Sequence, residues 1–418
     1  MLRVVTCPYC WTEFAPEDVL WVSVHSDLRG DTRLGPDHFL RFLPSVFTLE
    51  GDAVDLRGQI CKQRACPHCH LILPRSSLEM TPMFVSILGT PASGKSFLLA
   101  SMVWRLRQHL ATSFGVQFVD ADPSLNALLY EHERKMFMHP EPNRPVPLAD
   151  LIPKTDLAGA QFNYETVDFG DHAVRLLKPY FFELRLTSGH LSYGRQHEVQ
   201  RLVCLYDNAG EHFLPGGDSS QAPVTWHLPR SEILIYVLDP TQDPRFRQAL
   251  FAQVQETLCG HRWTGRQDVV LLEAVSRIRA LGKLPSSEKI KTLLLIALTK
   301  ADMWGRFFES EDLLQEPFVR NGQAYALDSA RVADRSRKLE KMLLKMCPEI
   351  MAAARANFER VVIVPTSAIG RPPEILETPT GPKPACRPSQ IKPAGVMSLF
   401  LLGISELVPG LIARSAPS

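Results

Sequence analysis

The chain has 418 residues, of which 45% are hydrophobic and 22% charged, and its formal net charge at pH 7 is +1. This composition is typical of an ordinary globular protein with room for two or three domains. The nearly neutral charge gives no global electrostatic basis for binding nucleic acid or an anionic membrane, although a local basic patch is compatible with it.

The compartment is predicted from the termini and the cysteines. The first ten residues, MLRVVTCPYC, lack the apolar core of a signal peptide, and the apolar stretch at 396–413 is interrupted by Glu406 and Pro409. Nine cysteines are an odd number, and four of them form two close pairs, which favours metal binding in a reducing environment over a disulfide framework. We therefore expect a cytoplasmic protein with no membrane association.

Residues 1–78 are predicted to form a zinc-ribbon module. Cys7 and Cys10 belong to one C-P-x-C turn and Cys66 and Cys69 to another, and two such turns complete a tetrahedral Zn2+ site. The turns are much farther apart than the roughly 15–20 residues of a compact ribbon, so a module at about 11–62 must be inserted between them. The alternative is two unrelated buried cysteine turns. Other candidate ligands are Cys61, His25, His68 and His70, and residues 74–82 are predicted to be a linker.

The next segment has the pattern of a phosphate-binding loop. Residues 83–88 are predicted to be a buried strand and 97–110 a helix, and the residues between them fit G-x-x-x-x-G-K-[ST]. In this context the backbone N–H groups and the helix N-terminus bind phosphate, the lysine reaches the β- and γ-phosphates, and the serine binds Mg2+. The alternative is a glycine turn that opens an ordinary helix. The predicted loop consists of Gly89, Thr90, Pro91, Ala92, Ser93, Gly94, Lys95 and Ser96.

The chain then continues with a strand at 116–119 and a helix at 125–138. Five prolines within 139–171 predict an irregular excursion, and strands at 180–186 and 199–206 predict an antiparallel hairpin. The second of these strands ends at Asp207, with Gly210 three residues later. Such an aspartate can hold Mg2+ through water, and the glycine N–H can sense a γ-phosphate.

The remaining elements alternate between strands and helices. Strands are predicted at 232–238, 293–298 and 361–364, and helices at 246–259, 336–347 (extending toward 360) and 396–412, with a surface loop at 371–393. Polar motifs follow two of these strands. They comprise Thr299, Lys300 and Asp302 after the strand at 293–298, and Ser367 and Ala368 after the strand at 361–364.

Four motifs thus stand at the ends of alternating strands, and in a parallel sheet such ends share one crevice. Their order resembles the motif set of Ras-related and translation-factor P-loop GTPases over residues 83–414. The resemblance implies an α/β, Ras-like fold with a mixed, mostly parallel sheet, GTP or GDP as ligand and Mg2+ bound through Ser96 and Asp207. It implies that Lys300 and Asp302 read the base and that Ser367 and Ala368 touch the guanine oxygen. An aspartate can accept from both N1–H and N2–H2 of guanine, a pair that adenine cannot offer.

Several positions depart from that pattern. Thr299 replaces the commoner asparagine, and Glu211 stands where Ras-type proteins have a glutamine that orients water. The switch I threonine is either Thr155 or Thr166, within an insertion at about 120–178. With Lys95 and Glu211 as the catalytic residues, we expect slow intrinsic hydrolysis. A partner, or His212 or Arg195, would then supply positive charge.

The zinc ribbon ahead of such a domain is similar to bacterial double-GTPase proteins of conflict or defence systems. The sequence therefore predicts a GTP-hydrolysing switch that acts through protein partners, with nucleic acid disfavoured because the basic patch of Lys62 and Arg64 is thin. The alternatives are a non-hydrolysing GTP-sensing scaffold, an ATPase of another P-loop class and a nucleic-acid-binding ribbon protein. Because the zinc and nucleotide sites fall in separate predicted domains, we expect zinc removal by Cys66→Ser to leave GTP binding intact.

Overall fold

The computed structural model describes residues 2–153, 163–208, 210–213, 223–251, 266–305, 312–322 and 324–415. Within these ranges, no helix has both the length and the apolarity that crossing a membrane requires.

The N-terminal part is a β-rich module of short strands. Its largest sheet has four strands, and the segment between the two cysteine turns contributes two small antiparallel hairpins. A 3-10 helix, Arg75–Leu78, then leads directly into the next sheet, and Ser76, Ser77 and Leu78 are buried in it. The segment at 74–82, expected to be a linker, is therefore packed structure. The strands are β1 (Val5–Thr6), β2 (Glu13–Phe14), β3 (Leu20–Val22), β4 (Arg29–Asp31), β5 (Gly35–Phe39), β6 (Arg41–Phe42), β7 (Ala53–Val54), β8 (Ile60–Cys61), β9 (Arg64–Ala65) and β10 (Ile72–Leu73).

The larger part of the chain alternates between strands and helices. Its first half contains β11 (Thr81–Gly89), α1 (Lys95–Phe114), β12 (Val116–Asp120), α2 (Ala127–Phe137), β13 (Val146–Pro147), α3 (Leu148–Leu151), β14 (Tyr164–Asp168), β15 (Ala173–Leu177), β16 (Tyr180–Leu186), α4 (Gln196–Val199) and β17 (Arg201–Asp207). Its second half contains β18 (Ile233–Leu238), α5 (Pro244–Phe251), α6 (Gln267–Gly282), β19 (Leu293–Leu298), α7 (Ala301–Trp304), β20 (Phe318–Asn321), β21 (Ala324–Leu327), α8 (Ser329–Met346), α9 (Pro348–Asn357), β22 (Val361–Pro365), β23 (Glu374–Thr378), β24 (Gly381–Cys386) and α10 (Val396–Leu407).

A seven-stranded mixed sheet organises this larger part. Its order is β12-β16-β17-β11-β18-β19-β22, and the five strands from β17 to β22 are parallel. β16 pairs antiparallel with β17 and with β12, so the predicted hairpin is confirmed, and so is the mixed, mostly parallel α/β sheet. From β11 the chain first builds one side of the sheet and then the other. The carboxyl end of β11 is therefore a topological switch point, where ligands bind in open α/β sheets.

Both faces of the sheet are buried, which explains why its strands are nearly continuous apolar runs. One face packs against α1 and α10, with Val203 and Ile235 pointing into that core. The opposite face is divided. Helices α6, α8 and α9 cover the half around β18 and β19, whereas the N-terminal module covers the half around β16 and β17.

Two predicted loops are wrong. The segment at 371–393 contains the β23–β24 hairpin. The excursion predicted at 139–171 contains β14, which pairs antiparallel with β15 just beyond it. Proline suggested loops, but a strand tolerates proline where the missing N–H would face away from a partner strand. Pro382 and Pro384 occupy alternate positions of β24, which fits that rule. Helix α6 was not predicted, and the predicted helix at 246–259 lies partly outside the described residues.

Candidate functional site

The predicted phosphate loop connects β11 to α1, as its pattern requires. Ala92 and Gly94 have φ angles of 59° and 93°, so the loop turns twice through the left-handed region before the helix begins at Lys95. Gly89 allows the loop to lie against β18, because a Cβ atom there would be 2.4 Å from the Val237 carbonyl oxygen. The loop is thus a close-packed turn at a helix N-terminus, a geometry that suits an anion.

Lys95 lies over this loop. Its Nζ donates to the carbonyl oxygens of Gly89 at 2.9 Å and Thr90 at 3.0 Å, so the ammonium group is held on the loop. Ser96 follows in the first turn of α1. The two residues that the motif assigns to phosphate and metal therefore stand together at the start of the helix.

Asp207 ends β17 beside β11, in register with Ile87. The carboxyl group is buried, and burial raises its pKa to about 6 although the nearby Lys95 opposes that shift. Among the described residues, none is a hydrogen-bond partner of its Oδ1, and a buried oxygen of this kind is costly unless something binds it. Oxygen ligands are what Mg2+ prefers, so the chemistry of Asp207 and Ser96 fits that ion.

Gly210 brings the segment after β17 against the phosphate loop. A Cβ atom on Gly210 would be 2.5 Å from the Gly89 carbonyl oxygen and 2.9 Å from the Pro91 nitrogen, both backbone atoms. The two backbones therefore touch, and only glycine allows this approach. Residue 211 continues the same short 3-10 helix, but the Glu211 side chain lies outside the described residues.

The motif after β19 lies beside this loop. The Thr299 hydroxyl donates to the Ser93 carbonyl oxygen at 3.1 Å, so the threonine connects β19 to the phosphate loop. Lys300 has a φ of 55°, and its Nζ lies 2.5 Å from Oδ2 of Asp239. The Asp302 carboxylate accepts a hydrogen bond from the Ser367 hydroxyl, and burial raises its pKa above the ordinary value.

The loop after β22 completes the group. Ser367 also accepts a hydrogen bond from the Gly370 N–H at 2.7 Å, and the Ala368 carbonyl accepts from Ser101 of α1 at 2.8 Å. All four predicted motifs thus lie at the carboxyl ends of β11, β17, β19 and β22. The structure joins them pairwise, through Gly210 to the loop, Thr299 to the loop, and Asp302 to Ser367.

Of the two switch I candidates, the structure describes Thr166. Thr155 lies outside the described residues, whereas Thr166 lies in β14 opposite Arg175 of β15 and is exposed. The hairpin of β14 and β15 packs with the N-terminal module. Nearby, the buried His212 shares a 2.9 Å hydrogen bond with the Tyr164 hydroxyl. Arg195 is exposed, and its Nη1 lies 3.9 Å from Oε2 of Glu198.

Sequence reasoning missed a buried polar turn after β18. Asp239 is fully buried, and its carboxylate accepts from the backbone N–H and the hydroxyl of Thr241. Gln267 of α6 holds its backbone through two hydrogen bonds of 3.0 and 2.8 Å. Gln242 ends this turn and bonds to the phosphate loop. The available signal was the same as for the other motifs, a run of polar residues directly after a buried strand.

The four predicted zinc ligands form one cluster. The Sγ atoms of Cys7 and Cys69 are 3.7 Å apart, those of Cys10 and Cys66 are 3.8 Å apart, and all four lie within 4.8 Å of one another. A tetrahedron with Zn–S bonds of about 2.3 Å has S···S edges of about 3.8 Å. The cluster therefore has the size of a Zn2+ site.

The backbone of each cysteine turn supports this assignment. The N–H groups of Tyr9 and His68 point to the sulfurs of Cys7 and Cys66, each at 3.4 Å. Such bonds stabilise thiolates, the form that binds metal. The alternative of two unrelated cysteine turns does not fit this geometry. Of the spare candidates, His70 instead bonds Asp31 at 2.9 Å, and Cys61 lies 3.7 Å from Asp55.

The N-terminal module also contacts the strands that carry the phosphate loop and Asp207. The Tyr206 hydroxyl, one residue before Asp207, donates to the Pro8 carbonyl of the first cysteine turn at 2.6 Å. Trp11 packs edge-on against Phe84 of β11, with ring centroids 4.8 Å apart. Tyr206 stacks on the buried His227 at 4.5 Å, and His227 in turn hydrogen-bonds Asn208 at 2.8 Å. The cysteine cluster and the end of β17, next to Asp207, therefore belong to one core.

No protein-family model matches the chain, and no curated protein matches it. Similar solved structures include sup35 complexed with GDP, with 11% identity and a TM-score of 0.24, and the S. cerevisiae Ski7 GTPase-like domain bound to GTP, with 12% identity and a TM-score of 0.29. The matches cover 70% and 69% of this chain but only 38% and 43% of those chains. At such scores the likeness by itself establishes neither the fold nor the ligand.

Proposed function

We propose that this chain is a P-loop GTPase of the Ras-like class, a switch that binds GTP with Mg2+ and hydrolyses it slowly. The observation that carries the proposal is the meeting of four motifs at one edge of the parallel sheet, around the phosphate loop at 89–96. A phosphate loop alone would fit any P-loop enzyme. The contacts of Gly210 and Thr299 with that loop support a site in which phosphate and base are read together.

Guanine is the proposed base. Asp302 is the acceptor for N1–H and N2–H2, and its hydrogen bond from Ser367 leaves further carboxylate lone pairs for the base. The Lys300 ammonium is paired with Asp239, so its alkyl stem is the part available to lie along the base. Ser367 and Ala368 would border the guanine oxygen. Adenine offers no N1–H and N2–H2 pair, so an ATPase of another class would not need an acceptor at Asp302.

Mg2+ would be held by the Ser96 hydroxyl and, through water, by the buried Asp207 carboxylate, and it would neutralise charge on the β- and γ-phosphates. The chain's own residues do the rest. Lys95 holds the phosphates, the loop N–H groups orient them, and the Gly210 N–H responds to the γ-phosphate. Because burial raises the pKa of Asp207 to about 6, metal binding is expected to release a proton at pH values near 6 and below.

Slow hydrolysis follows from the chemistry of Glu211. A carboxylate accepts hydrogen bonds but cannot donate one to the γ-phosphoryl oxygens, and its charge opposes theirs. Of the internal sources of positive charge, His212 is engaged with Tyr164, and Arg195 lies beside Glu198. An activating protein partner is therefore the proposed source.

The zinc centre is proposed to be structural, with Cys7, Cys10, Cys66 and Cys69 as its four thiolate ligands. The N-terminal module and the insertion at about 120–178 would be the surfaces read by protein partners. A cytoplasmic role in a bacterial conflict or defence system is the proposed setting, on the strength of the zinc ribbon ahead of the nucleotide domain.

The test is to measure nucleotide binding and steady-state turnover on one zinc-loaded sample. We expect micromolar or tighter binding of GTP and GDP with Mg2+, weak competition by ATP, and slow phosphate release. Equal affinities for GTP and ATP would overturn the assignment of the base. Tight GTP binding without any phosphate release, even with cell extract as a source of partners, would favour the non-hydrolysing scaffold.

A further inference from the structure

Gln242 connects the turn after β18 to the phosphate loop. The Thr90 hydroxyl donates to Gln242 Oε1 at 2.8 Å, and Gln242 Nε2 donates to the Pro91 carbonyl oxygen at 3.1 Å. Gln242 is 1% exposed and Thr90 is fully buried, so water does not compete for either bond. An amide fits here because it is the neutral group that accepts and donates at adjacent atoms.

The turn that carries Gln242 is itself fixed. The Gln242 N–H donates to the Asp239 carbonyl oxygen at 3.1 Å, and the buried Asp239 carboxylate is paired with Lys300. Gln267 bonds both backbone groups of Asp239. A chain of direct contacts therefore runs from Lys300, in the base-reading motif, through Asp239 and Gln242 to the phosphate loop.

The two loop residues that Gln242 holds are those that Gly210 approaches. Thr90 and Pro91 have backbone atoms within 3.0 Å of the position that a Gly210 Cβ would take. If the Gly210 N–H senses the γ-phosphate, Gln242 supports the loop on the side where GTP and GDP differ. Thr299 supports the opposite part of the loop at Ser93.

We propose that Gln242 is a positioning residue that holds Thr90 and Pro91 in the conformation required to distinguish GTP from GDP. This inference rests on the proposed function, since it concerns the same nucleotide site. Gln242 does not touch the nucleotide in this proposal; it acts through the loop. Asp239 contacts both Gln242 and Lys300. The proposed residues for base recognition and for phosphate recognition are therefore held by one buried turn.

The test compares Gln242→Leu, which removes both hydrogen bonds, with Gln242→Glu, which keeps the acceptor but places a carboxylate oxygen against the Pro91 carbonyl. We expect both variants to lose about tenfold or more in affinity for GTP and much less for GDP, in the presence of Mg2+. Gln117→Glu is the matched control, because it makes the same charge change at an exposed position of β12 and should alter neither affinity.

A double-mutant cycle with Thr90→Val shows whether the two residues act together. Thr90→Val as a single substitution should weaken GTP binding. Added to Gln242→Leu, it should weaken GTP binding little further. A merely structural role would lower GTP and GDP affinity equally, together with the thermal midpoint of the nucleotide-free protein, and that result would overturn the inference. So would unchanged GTP affinity in both Gln242 variants. Absence of GTP binding by the unmodified protein would instead refute the proposed function.

Discussion

Asp302 lies at the start of α7, where the Ser367 hydroxyl donates to its carboxylate and burial raises its pKa. Asp302→Asn replaces an acceptor with a donor opposite guanine N1–H. We expect this variant to lose about 1.5–3 kcal/mol of binding free energy for GTP, a factor of roughly 10 to 150. It should also gain preference for xanthine nucleotides. Competition binding with GTP and XTP measures both changes, and an unaltered preference would show that Asp302 does not contact the base.

Glu211 is the residue because of which we predict slow intrinsic GTP hydrolysis. Glu211→Gln supplies a side chain that can donate and accept, so we expect similar GTP affinity and an equal or higher hydrolysis rate. Single-turnover phosphate release measures the rate. Lys95→Ala is the reference variant, because removal of the ammonium group held over the loop should abolish binding or turnover.

The opposite outcome for Glu211 is equally informative. Fast turnover by the isolated protein that disappears in Glu211→Gln would show that the carboxylate works as a general base. Slow hydrolysis that depends on a partner would then be excluded for this protein.

Among the elements, the short 3-10 helix Gly210–Phe213 and the phosphate loop touch through their backbones. Gly210→Ala places a methyl group 2.5 Å from the Gly89 carbonyl oxygen, so one of the two segments must move. Overpacking of this kind costs about 1–3 kcal/mol. We expect Gly210→Ala to weaken GTP binding by about tenfold.

Gly194→Ala is the matched control for that variant, since no atom of the described residues lies within 4 Å of its Cβ position. Isothermal titration with GTP and Mg2+ compares the two variants. Equal affinities would mean that the helix after β17 does not have to approach the loop for nucleotide to bind.

At the scale of the whole molecule, the N-terminal module shares one hydrophobic core with β16 and β17, the strand that ends at Asp207. Tyr206 donates to Pro8 and directly precedes Asp207, so the independence of zinc and GTP binding expected from the sequence loses its physical basis. We now expect Cys66→Ser to release zinc and to weaken Mg2+-dependent GTP binding several-fold. Tyr206→Phe should give part of that effect with zinc retained, because it removes one buried hydrogen bond worth about 1 kcal/mol.

Metal content and GTP affinity are measured on the same samples. Cys61→Ser is the control, since Cys61 is buried in the same module but lies outside the four-cysteine cluster. Loss of zinc with unchanged GTP affinity would restore the independence of the two sites. A freshly purified, reduced protein without zinc would refute the metal assignment itself.

The order of amino acids was enough to predict the local features. Apolar runs bounded by polar motifs located the central strands to within a few residues, as for β19, because strands buried on both faces leave that pattern. The two C-P-x-C turns predicted that Cys7, Cys10, Cys66 and Cys69 lie together, as they do, since two tight turns with paired cysteines typically complete one tetrahedral site. The phosphate loop was equally local, because its glycines and lysine act within one turn.

What packs against these features depends on contacts between segments that are distant in the chain. Gln242 and Asp239 carry no short motif, and they gain their positions from Pro91, Lys300 and Gln267, which are distant in sequence. The docking of the N-terminal module on β16 and β17 likewise depends on which apolar faces meet, and periodicity shows that a face is buried without showing its partner. The β23–β24 hairpin was not predicted for a related reason. Its prolines disfavour a strand locally, and only the pairing of the two strands accommodates them.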